Sequence, residues 1–180
     1  MRMRSALRIA AFGILTIPLS FYSVFPTEAA NMGTLKIVST AFSHNGMIPP
    51  KYTCDGADVN PPLTIEGVPE NAKSLALIVD DPDAPRGTWV HWVAWNIDPK
   101  TKEIAEGSVP QGAQQGMNDF RRRDYGGPCP PSGTHRYFFK LYALDALLNP
   151  GKGATKADLE KSMKGHILAQ AEIIGLYRRK

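Results

Sequence analysis

Three long apolar runs separated by Pro/Gly-rich connections restrict this chain to a β-rich fold. Ser74 to Val79 reads Ser-Leu-Ala-Leu-Ile-Val. A continuous apolar run of that length, bounded by turn residues, suits a buried strand. Trp89 to Ile97 (Trp-Val-His-Trp-Val-Ala-Trp-Asn-Ile) and His135 to Leu144 (His-Arg-Tyr-Phe-Phe-Lys-Leu-Tyr-Ala-Leu) are rich in aromatic and β-branched residues, which favour strands. Leu35 to Val38 is a shorter run of the same kind. The connections are Asn45 to Pro50, Asn60-Pro61-Pro62, Pro82 to Gly87, and a long loop from about Glu106 to Gly133. A loop of that last length in one domain carries function or is tied down.

The first thirty residues stand apart. Arg2, Arg4 and Arg8 precede an almost wholly apolar stretch from Ile9 to Val24, and Thr27, Ala29 and Ala30 supply small residues for cleavage. That is the pattern of a secretory signal peptide. An uncleaved anchor is the alternative, but the stretch is short and interrupted by Pro18 and Pro26. The expected division is a signal peptide at 1–30 and a single domain at 31–180, periplasmic or secreted and without a stable membrane span after cleavage. A remainder of about 150 residues is long enough to bury a core without staples. The formal charge is +4 for the whole chain, and segment 1–30 holds three Arg and one Glu, which leaves +2 for the rest. Neither Arg121-Arg122-Arg123 nor the Arg178-Arg179-Lys180 tail forms the wide basic face that nucleic acid requires. Cys54 and Cys129 match no metal spacing. In an exported protein they are expected to pair, with two buried free thiols as the alternative.

Towards the C-terminus, Thr155-Lys156-Ala157-Asp158 reads as an N-cap with an acidic residue near N3. Ile167, Ala171 and Ile174 suit a helix, whereas Ala169, Ala171, Ile173, Gly175 and Tyr177 alternate as in a strand. The expectation is a helix to about His166 followed by a strand. His44 is read as a turn residue and His166 as a helix-end residue.

Strand alternation assigns the chemistry-bearing side chains to faces. It puts Trp89, His91, Val93 and Trp95 on one face of their strand, and His135, Tyr137 and Phe139 on one face of theirs. If those faces meet, two imidazoles and a phenol form a polar island on apolar walls, the make-up of a small-ligand site. A single His on an apolar strand face is more often a satisfied core residue. Asp81-Pro82-Asp83-Ala84-Pro85 presents two carboxylates on a stiffened chain. Asp-Pro is also an ordinary turn former. Gly126 to Gly133 lets backbone approach a ligand closely. Phosphate-loop, dinucleotide, nucleophile-elbow and metalloprotease motifs are all missing from the sequence.

The Asp81–Pro85 run, His91-Trp92, and Gly127 through His135-Arg136-Tyr137 resemble the two signature regions of the phosphatidylethanolamine-binding protein family. The likeness is to its bacterial Raf-kinase-inhibitor-like branch. Tyr52-Thr53-Cys54-Asp55-Gly56, Asn60-Pro61-Pro62-Leu63, Asn118-Asp119-Phe120 and Tyr125 through Pro131 fit that branch too. The resemblance spans roughly residues 34–177. It implies a mainly β fold, a β-sandwich of a large and a small antiparallel-rich sheet with a C-terminal helix and a terminal strand. It also implies an anion pocket of Asp81, His91, Pro130, His135 and Tyr137, with Asp83 and Arg136 bracing the loops. Only Arg86-Gly87-Thr88 separates Pro85 from Trp89, shorter than in eukaryotic members, so the pocket rim is not carried over.

The leading expectation is a non-catalytic, exported binder of a small anion: phosphate, a phosphomonoester or a phospholipid head group. It needs no cofactor and no metal, and a homodimer is left open. One alternative is a protein inhibitor or signalling partner of a kinase or protease. Another is a weak phosphoester hydrolase, because Asp, two His and Tyr are acid–base groups.

Overall fold

The computed structural model describes residues 34–179. The expected signal peptide lies outside the described residues. The small sheet holds β1 (Lys36–Val38), β3 (Leu63–Glu66) and β6 (Glu103–Ile104), in the order β1-β3-β6. The large sheet follows the order β2-β9-β8-β4-β5-β7. Its strands are β2 (Gly46–Met47), β4 (Ser74–Asp81), β5 (Trp89–Ile97), β7 (Gln114–Gln115), β8 (His135–Leu144) and β9 (Ile167–Tyr177). All pairings are antiparallel except β2 with β9. The helix, α1, spans Lys156–Met163 between β8 and β9. This is the expected mainly β sandwich of a large and a small sheet, and neither sheet closes into a barrel.

The core explains why Ser74–Val79 has no polar alternation. Leu75, Leu77 and Val79 face the small sheet and pack with Ile37, Leu63, Ile65 and Ile104. Ala76 and Ile78 face the other way, into a second cluster with Val93, Trp95, Leu159 and Met163. Every residue of β4 is buried, because the strand has a layer on each side. On β8 and β9 the alternation holds, and Tyr137, Phe139, Leu141, Ile173 and Tyr177 all belong to the inter-sheet core.

On β5 the alternation fails. Val79 pairs with Trp92 but Asp80 pairs with Val90, so His91 is an extra residue on its strand. Such a β-bulge turns two successive side chains to the same side. Trp92 and Ala94 therefore face the inter-sheet core, and Val93 and Trp95 face the helix. His91 does not share a face with Val93 and Trp95 as simple alternation requires. It stands with Tyr137, the ring centroids 5.2 Å apart. A second register shift lies near Asn96, whose φ is 55° and whose side chain bonds both backbone groups of Leu148.

The helix begins where the sequence places it. Thr155 caps it, and Asp158 returns a bond to the Thr155 backbone N–H at 2.9 Å, a reciprocal capping box. It ends at Met163, three residues short of His166. His166 instead reaches Asp145 at 2.8 Å beside the start of β9. The helix is fastened to the sheet by Lys156, which reaches the fully buried Asp80 together with Lys140.

Candidate functional site

At the end of the sandwich where β4 closes and β5 and β8 begin, a cavity of about 270 Å³ opens. It is lined by Asp81, His91, Pro130 and His135 from the expected set. Trp89, Phe120 and Cys129 complete much of the wall. Two loops and three strands, distant in sequence, thus converge on one small space.

The two histidines are anchored differently. The Asp81 carboxylate accepts from His135 Nδ1–H at 2.7 Å, with both side chains nearly buried. His91 Nδ1–H donates to the Gly126 carbonyl at 2.6 Å. A carbonyl only accepts, so this bond fixes the proton on Nδ1 and leaves Nε2 as the variable nitrogen. Neither Nε2 has a protein partner among the described residues. His91 is only 2 % exposed. Burial pushes its pKa below the usual histidine value. The Gly126 carbonyl opposes that shift, as do the carboxylates of Asp81, Asp80 and Asp119.

The ring of His91 is held edge-on by two aromatics, Phe120 at 5.3 Å and Tyr137 at 5.2 Å. Tyr137 does not line the cavity as the sequence reading has it. It stands behind His91 with its hydroxyl buried; Asp81 lies close to that oxygen but makes no well-aligned hydrogen bond with it. The phenol pKa is driven well above its ordinary value by burial, with Asp81 adding to it. The cause is positional: alternation puts Tyr137 two residues further into the sandwich than His135, under the His91 bulge.

Asp83 and Arg136 lie beside the cavity, outside its wall. The Arg136 guanidinium grips Asp83 through Nε at 2.9 Å and Nη2 at 2.7 Å, and the Arg136 backbone N–H adds a bond at 2.9 Å. These bonds hold the Asp83 carboxyl down at about 2. Asp81 turns the Pro82 corner by accepting from the Asp83 N–H at 2.8 Å. Behind the other wall, Cys54 and Cys129 form a disulfide with Cα atoms 5.5 Å apart.

Several residues at the site carry no sequence signal of their own. Phe120 forms wall, and Asn118 Nδ2 ties its loop to the carbonyls of His91 and Asp124. Asp119 accepts from the Val90 N–H at 2.7 Å. Their order, Asn118-Asp119-Phe120, is legible only as part of the family resemblance. No cluster of three or more His, Cys, Asp or Glu suited to a metal occurs among the described residues. Chemically, the cavity offers two imidazole Nε2 positions over an apolar wall of Pro, Trp and Phe.

Residues 38–178 match the family described as phosphatidylethanolamine-binding protein. A UPF0098 protein of Pyrococcus abyssi is 57% identical over 152 residues, covering 79% of this chain and 85% of that one. A UPF0098 protein of Methanothermobacter thermautotrophicus is 52% identical over 150 residues, covering 81% and 99%. Among solved structures, a phosphatidylethanolamine-binding protein homolog from Chlamydia trachomatis superposes with a TM-score of 0.79 at 43% identity, covering 82% of this chain and 99% of that one. YbcL of E. coli, described as a member of the mammalian PEBP family, gives a TM-score of 0.76 at 32% identity, covering 81% and 99%.

Proposed function

The chain belongs to the phosphatidylethanolamine-binding protein family, and from that premise we propose that it is an exported, non-catalytic binder of a small anion. The ligand class is a phosphate, a phosphomonoester or a phospholipid head group. One observation carries the reading. Both pocket imidazoles have Nδ1 committed, to Gly126 and to Asp81, which leaves two Nε2 atoms for one ligand. Protonated, each Nε2 becomes a charged donor, the kind of group that binds phosphate oxygens. The cavity volume of about 270 Å³ suits a head group rather than a large metabolite.

The wall holds acid–base groups in Asp81, His91 and His135 but no side-chain hydroxyl or thiol nucleophile. Its one sulfur, on Cys129, is bonded to Cys54, and no Ser or Thr is among the lining residues. Export is supported by the basic and apolar pattern of residues 1–30 and by the disulfide, which persists in oxidising compartments. No described helix is long and apolar enough to cross a membrane.

Calorimetry with phosphoethanolamine and with inorganic phosphate tests the reading at pH 7.5 and pH 5.5. His91 has a lowered pKa, so its proton arrives below the ordinary histidine range. Affinity is expected to rise as pH falls, by up to about tenfold per pH unit for one linked proton. Absence of binding at both pH values would sink the proposal. Export is tested by N-terminal sequencing of the protein recovered outside the cytoplasm, with a start just after Ala29 or Ala30 expected.

A further inference from the structure

His135 has its carboxylate in direct contact. His91 has one too, but a peptide group stands between. The Gly126 carbonyl that accepts from His91 Nδ1–H belongs to the same peptide group as the Gly127 N–H. That N–H donates to Asp58 Oδ1 at 2.6 Å. The order is therefore carboxylate, peptide N–H, peptide C=O, imidazole N–H. Hydrogen bonds in such a row polarise one another, and a charged acceptor at one end makes the carbonyl at the other end a stronger acceptor.

The surroundings keep this peptide in place. A Cβ on Gly127 would stand 2.6 Å from the Tyr52 carbonyl and 2.7 Å from Asp58 Oδ1, and one on Gly126 would stand 2.5 Å from the Phe120 ring. Two successive glycines let the backbone pass between the two loops. Three further links hold the 50–58 loop against it. Tyr125 donates its hydroxyl to the Tyr52 carbonyl at 3.0 Å, and Cys54 N–H donates to the Pro128 carbonyl at 3.2 Å. The disulfide closes the same seam. On the other side, Gly126 N–H donates to the His91 carbonyl at 3.0 Å, so Gly126 grips both the backbone and the ring of His91. Asp58 itself holds a left-handed backbone, φ 53°, and its second oxygen faces Arg122 Nη2 at 3.2 Å.

We propose that Asp58 is a positioning residue for His91, acting through the single peptide group between Gly126 and Gly127. It strengthens the carbonyl that fixes the His91 tautomer, and it favours the charged ring. Other groups act on His91 as well: Asp81 and Asp80 from β4, Asp119 from the loop after β7, and Tyr137 from β8, while His135 of β8 lines the same cavity. Asp58 differs from these in acting on Nδ1 through a bonded peptide, and Arg122 partly neutralises it. The consequence for ligand capture rests on the anion-binding reading; the effect on His91 does not.

The test is NMR of the His91 ring nitrogens in the folded full-length domain, titrated from pH 4.5 to 8, with phosphate calorimetry alongside. Asp58→Asn keeps an oxygen for Gly127 but removes the charge. It is expected to lower the His91 midpoint by about half a pH unit and to weaken phosphate at pH 5.5 by about threefold. Arg122→Gln unmasks Asp58 and is expected to move the midpoint upward. In the double variant that upward shift should largely vanish. An unmoved midpoint in Asp58→Asn would overturn the inference. So would an upward shift that survives in the double variant, because it would then come from Arg122 alone. If Asp58→Asn does not fold, an absent or downward shift in Arg122→Gln overturns it. If wild-type protein binds no phosphate while the His91 midpoint still follows Asp58, the anion reading fails and this inference stands.

Discussion

Replacing Arg136 with Gln opens the clamp on Asp83 and leaves the carboxylate in place. The guanidinium contributes two bonds to that carboxylate, at 2.9 Å and 2.7 Å. The clamp lowers the Asp83 carboxyl from 3.8 to about 2, chiefly through the Arg136 side-chain bonds. Both groups meet solvent, with side-chain exposures of 53% for Arg136 and 28% for Asp83. Water screens such a pair, so the Asp83 carboxylate is expected to lose no more than about 1 kcal/mol of stabilisation on Arg136→Gln. A carboxyl whose folded pKa is depressed contributes stability above its unfolded pKa and loses it as pH falls through the folded value. Urea unfolding of wild type and Arg136→Gln should therefore differ by the full amount above about pH 5, and the two should converge towards about pH 2. Arg136→Lys keeps the charge but not the fork, and should recover less than half of the difference. A gap that stays constant down to pH 2 would refute the assignment, since it would then come from packing of Arg136 over Phe138 rather than from the ion pair.

Two further outcomes are expected. Replacing Cys54 and Cys129 together with Ser should cost about 4 kcal/mol in urea unfolding, because the bridge closes a separation of 75 residues in the unfolded chain. A loss below about 1 kcal/mol would show that the unfolded chain is already compact around that seam. Tyr137→Phe should change stability by less than about 1 kcal/mol, since the hydroxyl is buried with Asp81 near it but no well-aligned hydrogen bond. It should leave phosphate affinity unchanged, and a clear loss of affinity would show that the hydroxyl reaches the ligand.

The long strands were legible because burial writes itself into composition. β4 is covered on both sides and reads as an unbroken apolar run, while β8 and β9 carry the alternation of strands with one half-open face. The shortest strands were not legible. β2, β6 and β7 have two residues each, too few for any period, and their pairing is decided by partners elsewhere. The bulge at His91 was hidden for another reason. Large apolar residues sit on both sides of β5, so the run from Trp89 to Ile97 fits either phase. The pocket residues themselves were legible mainly through the family resemblance, with alternation giving His135 its face. Asp58 was out of reach, because its bond to Gly127 spans a separation of 69 residues and depends on two glycines passing between loops.

The bulge and the glycine peptide together explain how a nearly buried imidazole stays usable. Burial alone would keep His91 neutral, and a neutral ring with Nδ1–H fixed presents only a lone pair at Nε2, which repels an anion. The bulge is what brings the ring to the cavity end of the sandwich, between Phe120 and Tyr137. The Gly126 carbonyl and three nearby carboxylates then offset the cost of charging it. On the proposed anion-binding reading, an entering phosphate would complete the offset, because it would place negative charge against Nε2 just where a proton is missing. On that reading ligand and proton would bind as one event at His91, whereas His135 has Asp81 in direct contact without any ligand.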